Sequence, residues 1–278
     1  MAIVGAGNLA TFLAMALSES DYCVAEIISR NSPRSRRRAR TLASRVGARV
    51  VTDRTAARNA ELLWFCVPDR AIREAASNLA ACAKGIVRFA FHSSGALLSC
   101  ELESLRKGGA AVASVHPLMT FVPQSRPRLA GVPFALEGDA AATRLARRIV
   151  RDLGGESFAL PAVRKAAYHA WATFVSPLWL AFLVTLEEAA GGAGLSRADA
   201  RRMSLPIIRQ TLENYSRLGP AHSFSGPMIR GDAPTVAKHL VALQKDPAVR
   251  EVYVALARAA LDLLPAKNRK KLERLLRN

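Results

Sequence analysis

A short apolar run that hands straight over to a glycine loop restricts the fold of this chain more than any other feature. Ala2-Ile3-Val4 is followed by Gly5-Ala6-Gly7-Asn8-Leu9-Ala10, and then by the helical pattern Thr11-Phe12-Leu13-Ala14-Met15-Ala16-Leu17. G-x-G-x-x-A between a strand and a helix is the arrangement with which a parallel α/β unit offers backbone N–H groups to a dinucleotide. Gly5 permits the tight turn, Gly7 lets the backbone approach a pyrophosphate, and Ala10 is small enough for the helix to pack on the strand. Gly5, Ala6, Gly7, Asn8 and Leu9 are therefore assigned to a cofactor, with the helix N-terminus supplying further donors.

The end of the next apolar run narrows that cofactor. Val24-Ala25-Glu26-Ile27-Ile28 reads as a buried parallel strand and ends at Ser29-Arg30-Asn31. A chain that selects NAD places an Asp or Glu about 20 residues past the glycines, to accept from the ribose 2′-OH. Here stand a hydroxyl, a guanidinium and an amide, followed by Arg34, Arg36, Arg37 and Arg38. A 2′-phosphate needs charge-assisted donors, and arginine supplies them as a fork. Glu26 is the competing ribose acid, but the apolar run continues through Ile27 and Ile28 and leaves it inside the strand. The expected cofactor is NADP, held by Ser29, Arg30 and Asn31.

The rest of the first half alternates short apolar runs with helical patterns, as in a parallel sheet wrapped by helices. A helix over 35–46 precedes a strand at Arg49-Val50-Val51. The fourth strand, 61–69, is stopped by Pro68. The fifth, 87–91, leads into His92-Ser93-Ser94-Gly95, and the sixth, 111–115, into His116-Pro117. A further strand–helix unit is expected at 132–136 and 140–153, with a last strand at 157–160. Beyond Pro161 only helical patterns remain, broken at Gly191-Gly192, Gly219-Pro220 and Ala233-Pro234. The expected architecture is α/β: a Rossmann doubly wound parallel sheet over 1–160, then an all-helical substrate and dimerisation domain over 161–278. Ligands of parallel sheets lie beyond the carboxyl ends of the strands. Val67-Pro68-Asp69, His92-Ser93-Ser94-Gly95 and His116-Pro117 should meet there, which adds Val67, Pro68 and His92 to the cofactor contacts.

Composition excludes several classes. Cys23, Cys66, Cys82 and Cys100 form no C-x-x-C pair and neighbour no histidine cluster, so neither disulfides nor a metal site is expected. Cys23 and Cys66, in or beside strands, should be buried, inert thiols. The one long apolar stretch, 170–186, contains Thr173, Ser176 and Pro177 and is short for a bilayer, so a buried helix is expected rather than a membrane span. With no signal-like segment before the first strand, the expected location is cytoplasmic. The net charge of +18 is spread over nearly every helical pattern, without aromatic interleaving, and implies a solvated surface rather than specific nucleic-acid binding. The basic stretch 267–277 is expected to be a solvated amphipathic end.

Taken in order, the glycine loop, Val67-Pro68-Asp69, His92-Ser93-Ser94-Gly95-Ala96, His116-Pro117-Leu118-Met119-Thr120-Phe121, Phe134-Ala135-Leu136-Glu137-Gly138-Asp139, Tyr168-His169-Ala170 and Gly226-Pro227-Met228-Ile229-Arg230-Gly231-Asp232 form a series. It resembles the Rossmann-like, DUF2520-containing oxidoreductases, related to pyrroline-5-carboxylate reductase and to the 6-phosphogluconate and β-hydroxyacid dehydrogenases. The resemblance implies an NADP-binding N-terminal domain and a helical C-terminal domain that dimerises, without naming a substrate. One departure stands out: Ser176-Pro177 replaces the Ser-Asn that the family commonly carries. Proline kinks the helix and removes an amide, which puts substrate choice or activity in question.

Reduction of a carbonyl or imine needs a proton donor and an orienting group beside the hydride carrier. His169 and Lys165 lie four residues apart on one helix face. His169 suits a general acid near neutral pH, with Lys165 orienting substrate. A structural histidine at the domain interface fits His169 equally well. Ser94 can hold a substrate carboxylate or carbonyl beside Gly95, or simply begin a helix. His116, held extended by Pro117, is expected to position the following loop, and Asp69 to cap the helix starting at Arg70. His222 and His239 read as surface residues. The resulting expectation is a homodimeric, NADP-dependent oxidoreductase of a small carbonyl or imine. The alternative is an NADP-binding sensor or scaffold without turnover.

Overall fold

The computed structural model describes residues 1–52, 60–82, 86–125 and 128–277. Their contacts form two compact units, Met1–Thr173 and Phe174–Asn278. The first unit runs β1 (Ala2–Val4), α1 (Asn8–Glu19), β2 (Glu26–Ile28), α2 (Pro33–Val46), β3 (Arg49–Val51), β4 (Leu62–Phe65), α3 (Ile72–Cys82), β5 (Phe89–His92), α4 (Glu103–Lys107), β6 (Ala111–Pro117), β7 (Pro133–Gly138), α5 (Ala140–Asp152), β8 (Glu156–Ala159) and α6 (Lys165–Thr173).

The strands form one sheet in the order β3-β2-β1-β4-β5-β6-β7-β8. β1 to β6 pair in parallel, whereas β7 runs antiparallel to β6 and β8 parallel to β7. The sequence pattern suggested one more parallel unit at β7. A parallel return needs a crossover, usually a helix. No helix occurs between Pro117 and Pro133 among the described residues, so the chain doubles back.

Side chains alternate across the sheet. Ile3, Ile27, Trp64, Phe91 and Ala113 pack under α1, α2 and α5, while Val4, Ile28, Phe65, Ala90 and Val112 pack under α3 and α4. Both faces are covered, which is why these strands read as continuous apolar runs. Val4, Phe65, His92, Ser114 and Glu137 are register partners in one row across β1, β4, β5, β6 and β7. Polar residues enter the sheet where this row reaches β5.

The second unit opens on a π-helical turn, Phe174–Leu178, with Pro177 inside it. Proline lacks the N–H for an α-helical bond, and the widened turn is the form its kink takes here. α7 (Trp179–Gly191), α8 (Arg197–Ser223, broken at Gly219, φ 75°), α9 (Pro227–Arg230), α10 (Ala233–Ala242), α11 (Pro247–Leu263) and α12 (Arg269–Arg277) follow. α10, α11 and α12 share a core that includes Val236, Leu240, Ala257, Leu261, Leu272 and Leu276. The basic end is therefore not merely solvated, because the apolar side of α12 is buried and only its charged side faces water.

Two further expectations fail. The helical stretch Ala162–Gly191 is long and apolar enough to cross a membrane, yet it is not the buried helix expected, since Trp171, Phe174 and Leu180 are exposed. Cys23 is exposed because it lies in the turn before β2 rather than in the strand. Cys66 is buried, and burial pushes its thiol up to about 12.

Candidate functional site

At the first turn, Gly5 has φ +112°, and a Cβ there would lie 2.5 Å from the Cys66 carbonyl oxygen. Only glycine fits. A Cβ on Gly7 would meet nothing within 4 Å, so the space above the loop is open for a ligand. Gly7 N-caps α1 without any side-chain cap, which leaves the first-turn N–H groups for a ligand. Asn8 turns elsewhere: its Nδ2 donates to the Phe121 carbonyl at 3.0 Å and ties down the loop after β6. Leu9 packs against the core.

A cavity of about 310 Å³ lies over this loop, walled by Gly5, Ala6, Gly7, Ser29, Arg30, Val67 and Pro68. Ser35 and Arg38 on α2 join it. Asn31 does not; its Oδ1 accepts from Arg36 Nη1 at 3.5 Å. The Ser29 Oγ is buried and has no hydrogen-bond partner among the described residues. Leaving a buried hydroxyl unpaired costs on the order of 1–3 kcal/mol, which a ligand oxygen would recover. Glu26 sits at the opposite, amino end of β2, where Arg49 Nη2 lies 2.9 Å from its Oε1, and it takes no part in the cavity. An orphaned hydroxyl, two arginines and an open glycine turn suit the phosphorylated ribose of a dinucleotide.

Beyond Pro68 the wall continues into a second cluster. The Ser94 Oγ donates to Asp69 Oδ2 at 2.8 Å and accepts from the Ala96 and Leu97 N–H groups at 3.2 and 3.0 Å. Its one proton and two lone pairs are thereby committed. Asp69 does not cap the following helix as expected. It is the first residue of a 3₁₀ turn capped by Pro68, and its carboxylate clamps Ser94 instead. His92 is fully buried. Its Nδ1 accepts the Ser94 N–H at 3.2 Å, so Nε2 carries the proton that reaches the Leu98 carbonyl at 2.9 Å. Burial lowers its pKa. The ring holds the loop shape, with both nitrogens engaged.

α6 brings three more groups. Lys165 is only 2% exposed, and its Nζ donates to Ser114 Oγ at 2.5 Å, which in turn donates to the Ser94 carbonyl at 3.1 Å. Burial lowers the ammonium to about 8, against the opposing pull of Glu137 and Asp69. Tyr168 Oη and His116 Nδ1 are 2.7 Å apart. Burial raises Tyr168 to about 12; burial, then Lys165, His169 and His92, lowers His116 to about 4. His169 is exposed, and its ring packs on Gly95 beside His116. A Cβ on Gly95 would lie 2.8 Å from both His116 Nε2 and His169 Cδ2, so glycine is what lets the two imidazoles close on this turn.

Of the residues expected at the site, Ser94, Lys165 and His169 do come together. Sequence reasoning missed Ser114 and Tyr168 and gave Asp69 the wrong role. A hydroxyl inside the apolar run of β6, and a phenol one turn after Lys165, were the available signals. His239 is half-buried, with Nδ1 3.0 Å from Tyr253 Oη, rather than a surface residue; His222 is exposed.

Residues 1–117 match the Rossmann-like domain, and residues 132–260 match DUF2520, a domain of unknown function. The chain is a Rossmann-like, DUF2520-containing protein. Among solved structures it resembles a Bacteroides fragilis protein described as a candidate NADP oxidoreductase, at 24% identity and TM-score 0.75, covering 93% of this chain and 96% of that one. It also resembles a pyrroline-5-carboxylate reductase from Coxiella burnetii, at 14% identity and TM-score 0.60, covering 99% and 97%. An imine reductase from Myxococcus stipitatus, in complex with NADP+, matches at 15% identity and TM-score 0.67, covering 99% of each chain. At such identities the likeness shows the fold. No curated protein matches the sequence significantly.

Proposed function

We propose that this protein is an NADP-dependent oxidoreductase, transferring hydride to or from a small carbonyl or imine and working as a cytoplasmic homodimer. The observation that carries the reading is the cavity over the glycine loop, where the unpaired Ser29 hydroxyl sits with Arg30 and Arg38 in place of an acidic ribose ligand. Backbone N–H groups at Gly7, Asn8 and Leu9 would take the pyrophosphate, and the adjoining wall at Val67 and Pro68 the rest of the dinucleotide. Asn31 reinforces the rim through Arg36. When bound, the nicotinamide supplies the hydride.

His169, the exposed imidazole of the cluster, is the proposed proton donor. Lys165 orients substrate from beneath, through Ser114 and the loop that Ser94 and His92 hold in shape. The described fold relatives include an imine reductase crystallised with NADP+, which accords with this chemistry. The homodimer rests on α8, along which Met203, Ile207, Leu212 and Tyr215 are exposed in a single chain. The helical part from Pro161 onward would then carry both substrate contacts and dimerisation.

Cofactor titration tests the reading first. NADPH should bind at least about tenfold tighter than NADH, roughly 1.4 kcal/mol, and Arg30→Ala should erase most of that gap while leaving NADH binding nearly unchanged. Equal affinity for the two would discard NADP selectivity. Loss of reduced-nicotinamide absorbance over a panel of small ketones and cyclic imines then separates an enzyme from a sensor without turnover.

A further inference from the structure

At the amino-terminal end of the sheet, a groove of about 860 Å³ opens between α5 and the residues that begin β1, β4 and β5. Arg144, Arg147, Arg148 and Arg151 recur along α5 at the helical repeat, so they share one side of it. Arg88, just before β5, adds a fifth guanidinium. Among the described residues only two carboxylates answer them, and loosely: Glu61 lies 4.0 Å from Arg88, and Asp152 lies 3.6 Å from Arg151. Asp152 is also claimed by the Tyr22 hydroxyl at 2.5 Å. Arg144 and Arg147 make no ion pair among the described residues. Like charges at this spacing destabilise a helix unless an anion lies across them.

The floor of the groove differs from its rim. Leu62 and Ile149 are buried beneath it, while Tyr22 and Phe89 are half-buried and present ring surface. We propose that this groove binds a nucleoside polyphosphate, its phosphates on the α5 arginines and its base against Tyr22 and Phe89. Guanidinium forks match phosphate oxygens two at a time, and aromatic faces accept any base. Size decides between a small ligand and a strand: the volume lies in the small-molecule range, and residues 144–151 span only about 10 Å of helix. None of the lining residues belongs to the cavity over the glycine loop, so the site is separate from the proposed NADP site.

Calorimetric titration of the full-length protein with GTP, with and without excess NADPH, tests this. GTP should bind below roughly 100 µM at physiological salt and should not be displaced by NADPH. Arg144→Glu with Arg148→Glu should weaken it at least about tenfold, as should the milder Arg144→Ala with Arg147→Ala. Lys270→Glu with Arg274→Glu, on the exposed side of α12, should change it by less than about twofold. Displacement by NADPH, equal weakening by the α12 pair, or no binding at all would overturn the proposal. So would tripolyphosphate binding as tightly as GTP, since the base would then contribute nothing. Tighter binding of a single-stranded oligonucleotide through the same arginines would replace the small ligand by nucleic acid. Loss of NADPH binding in the native protein would overturn the proposed function and leave this result standing.

Discussion

α1 of the first unit and α8 of the second pack in opposite ways. In the first, α1 is 12 residues long and buries Ala10, Leu13, Ala14 and Leu17 against the sheet. In the second, α8 runs from Arg197 to its break at Gly219 and on to Ser223, and buries only Ala200. Helices draw most of their stability from a packed apolar face, and α8 buries little of one within this chain. The second unit leaves Met203, Ile207, Leu212 and Tyr215 of α8 exposed, the face on which the proposed homodimer rests.

The sharpest way to break that contrast is to place charge on the uncovered face. Ile207→Asp with Leu212→Asp should turn a dimer into a monomer in sedimentation experiments, because burying an unpaired carboxylate costs several kcal/mol, roughly 10³-fold or more in dimer Kd. Turnover should fall with it while NADPH affinity stays near native. A native protein that is already monomeric would end the contrast altogether.

Next in size is the proton donor. His169→Ala should lower turnover by roughly 10²–10⁴ without loosening NADPH. Lys165→Ala should do less if it only orients substrate. Full turnover in His169→Ala would shift the donor to Lys165, whose amine titrates at about 8.

Glycines in the two units should respond differently. Gly95→Ala drives a methyl group into the His116 and His169 rings, and a displacement of this kind should cost roughly 10²-fold in turnover with little change in Tm. Gly191→Ala meets open space at the end of α7, and should leave turnover within about twofold while adding up to about 1 kcal/mol of helix stability. Similar effects from the two would show that the Gly95 turn has room to spare.

The smallest effects are in pH-dependent stability. His116 and Lys165 are cationic when protonated, and both have lowered folded pKa values. The unfolded chain therefore binds more protons, and stability should rise with pH from about 4 to 6.5 for His116 and from about 8 to 10.5 for Lys165. Urea denaturation across pH should show both windows, each worth no more than about 3 kcal/mol. His116→Gln should flatten the lower one and Lys165→Met the upper one. Unchanged slopes would mean these groups stay solvated.

Much of the candidate cofactor cavity was legible because its lining residues are adjacent in sequence. The glycine loop, the missing ribose acid at Ser29-Arg30 and the proline that stops β4 are local patterns, and all three lie on the wall of one cavity. The second cluster was legible only in part. Lys165 and His169 share a helix face and were found by spacing. Ser114, Tyr168 and the Asp69–Ser94 clamp were not, since each gains its meaning from a residue 25 to 52 positions away.

By itself the sequence determined where strands and helices form, how the glycine turn is built, and where Pro177 and Gly219 interrupt their separate helices, because turns, caps and periodicity are written in neighbouring residues. Tertiary structure decided the rest. The antiparallel entry of β7 follows from a link without a helix, and the Lys165–Ser114 contact from the register that sets Ser114 beside His92. The exposure of apolar side chains along α8 is likewise set by which segments pack on it. Such outcomes depend on which distant segments meet and what they exclude from water, and no window of sequence contains both sides of such a contact.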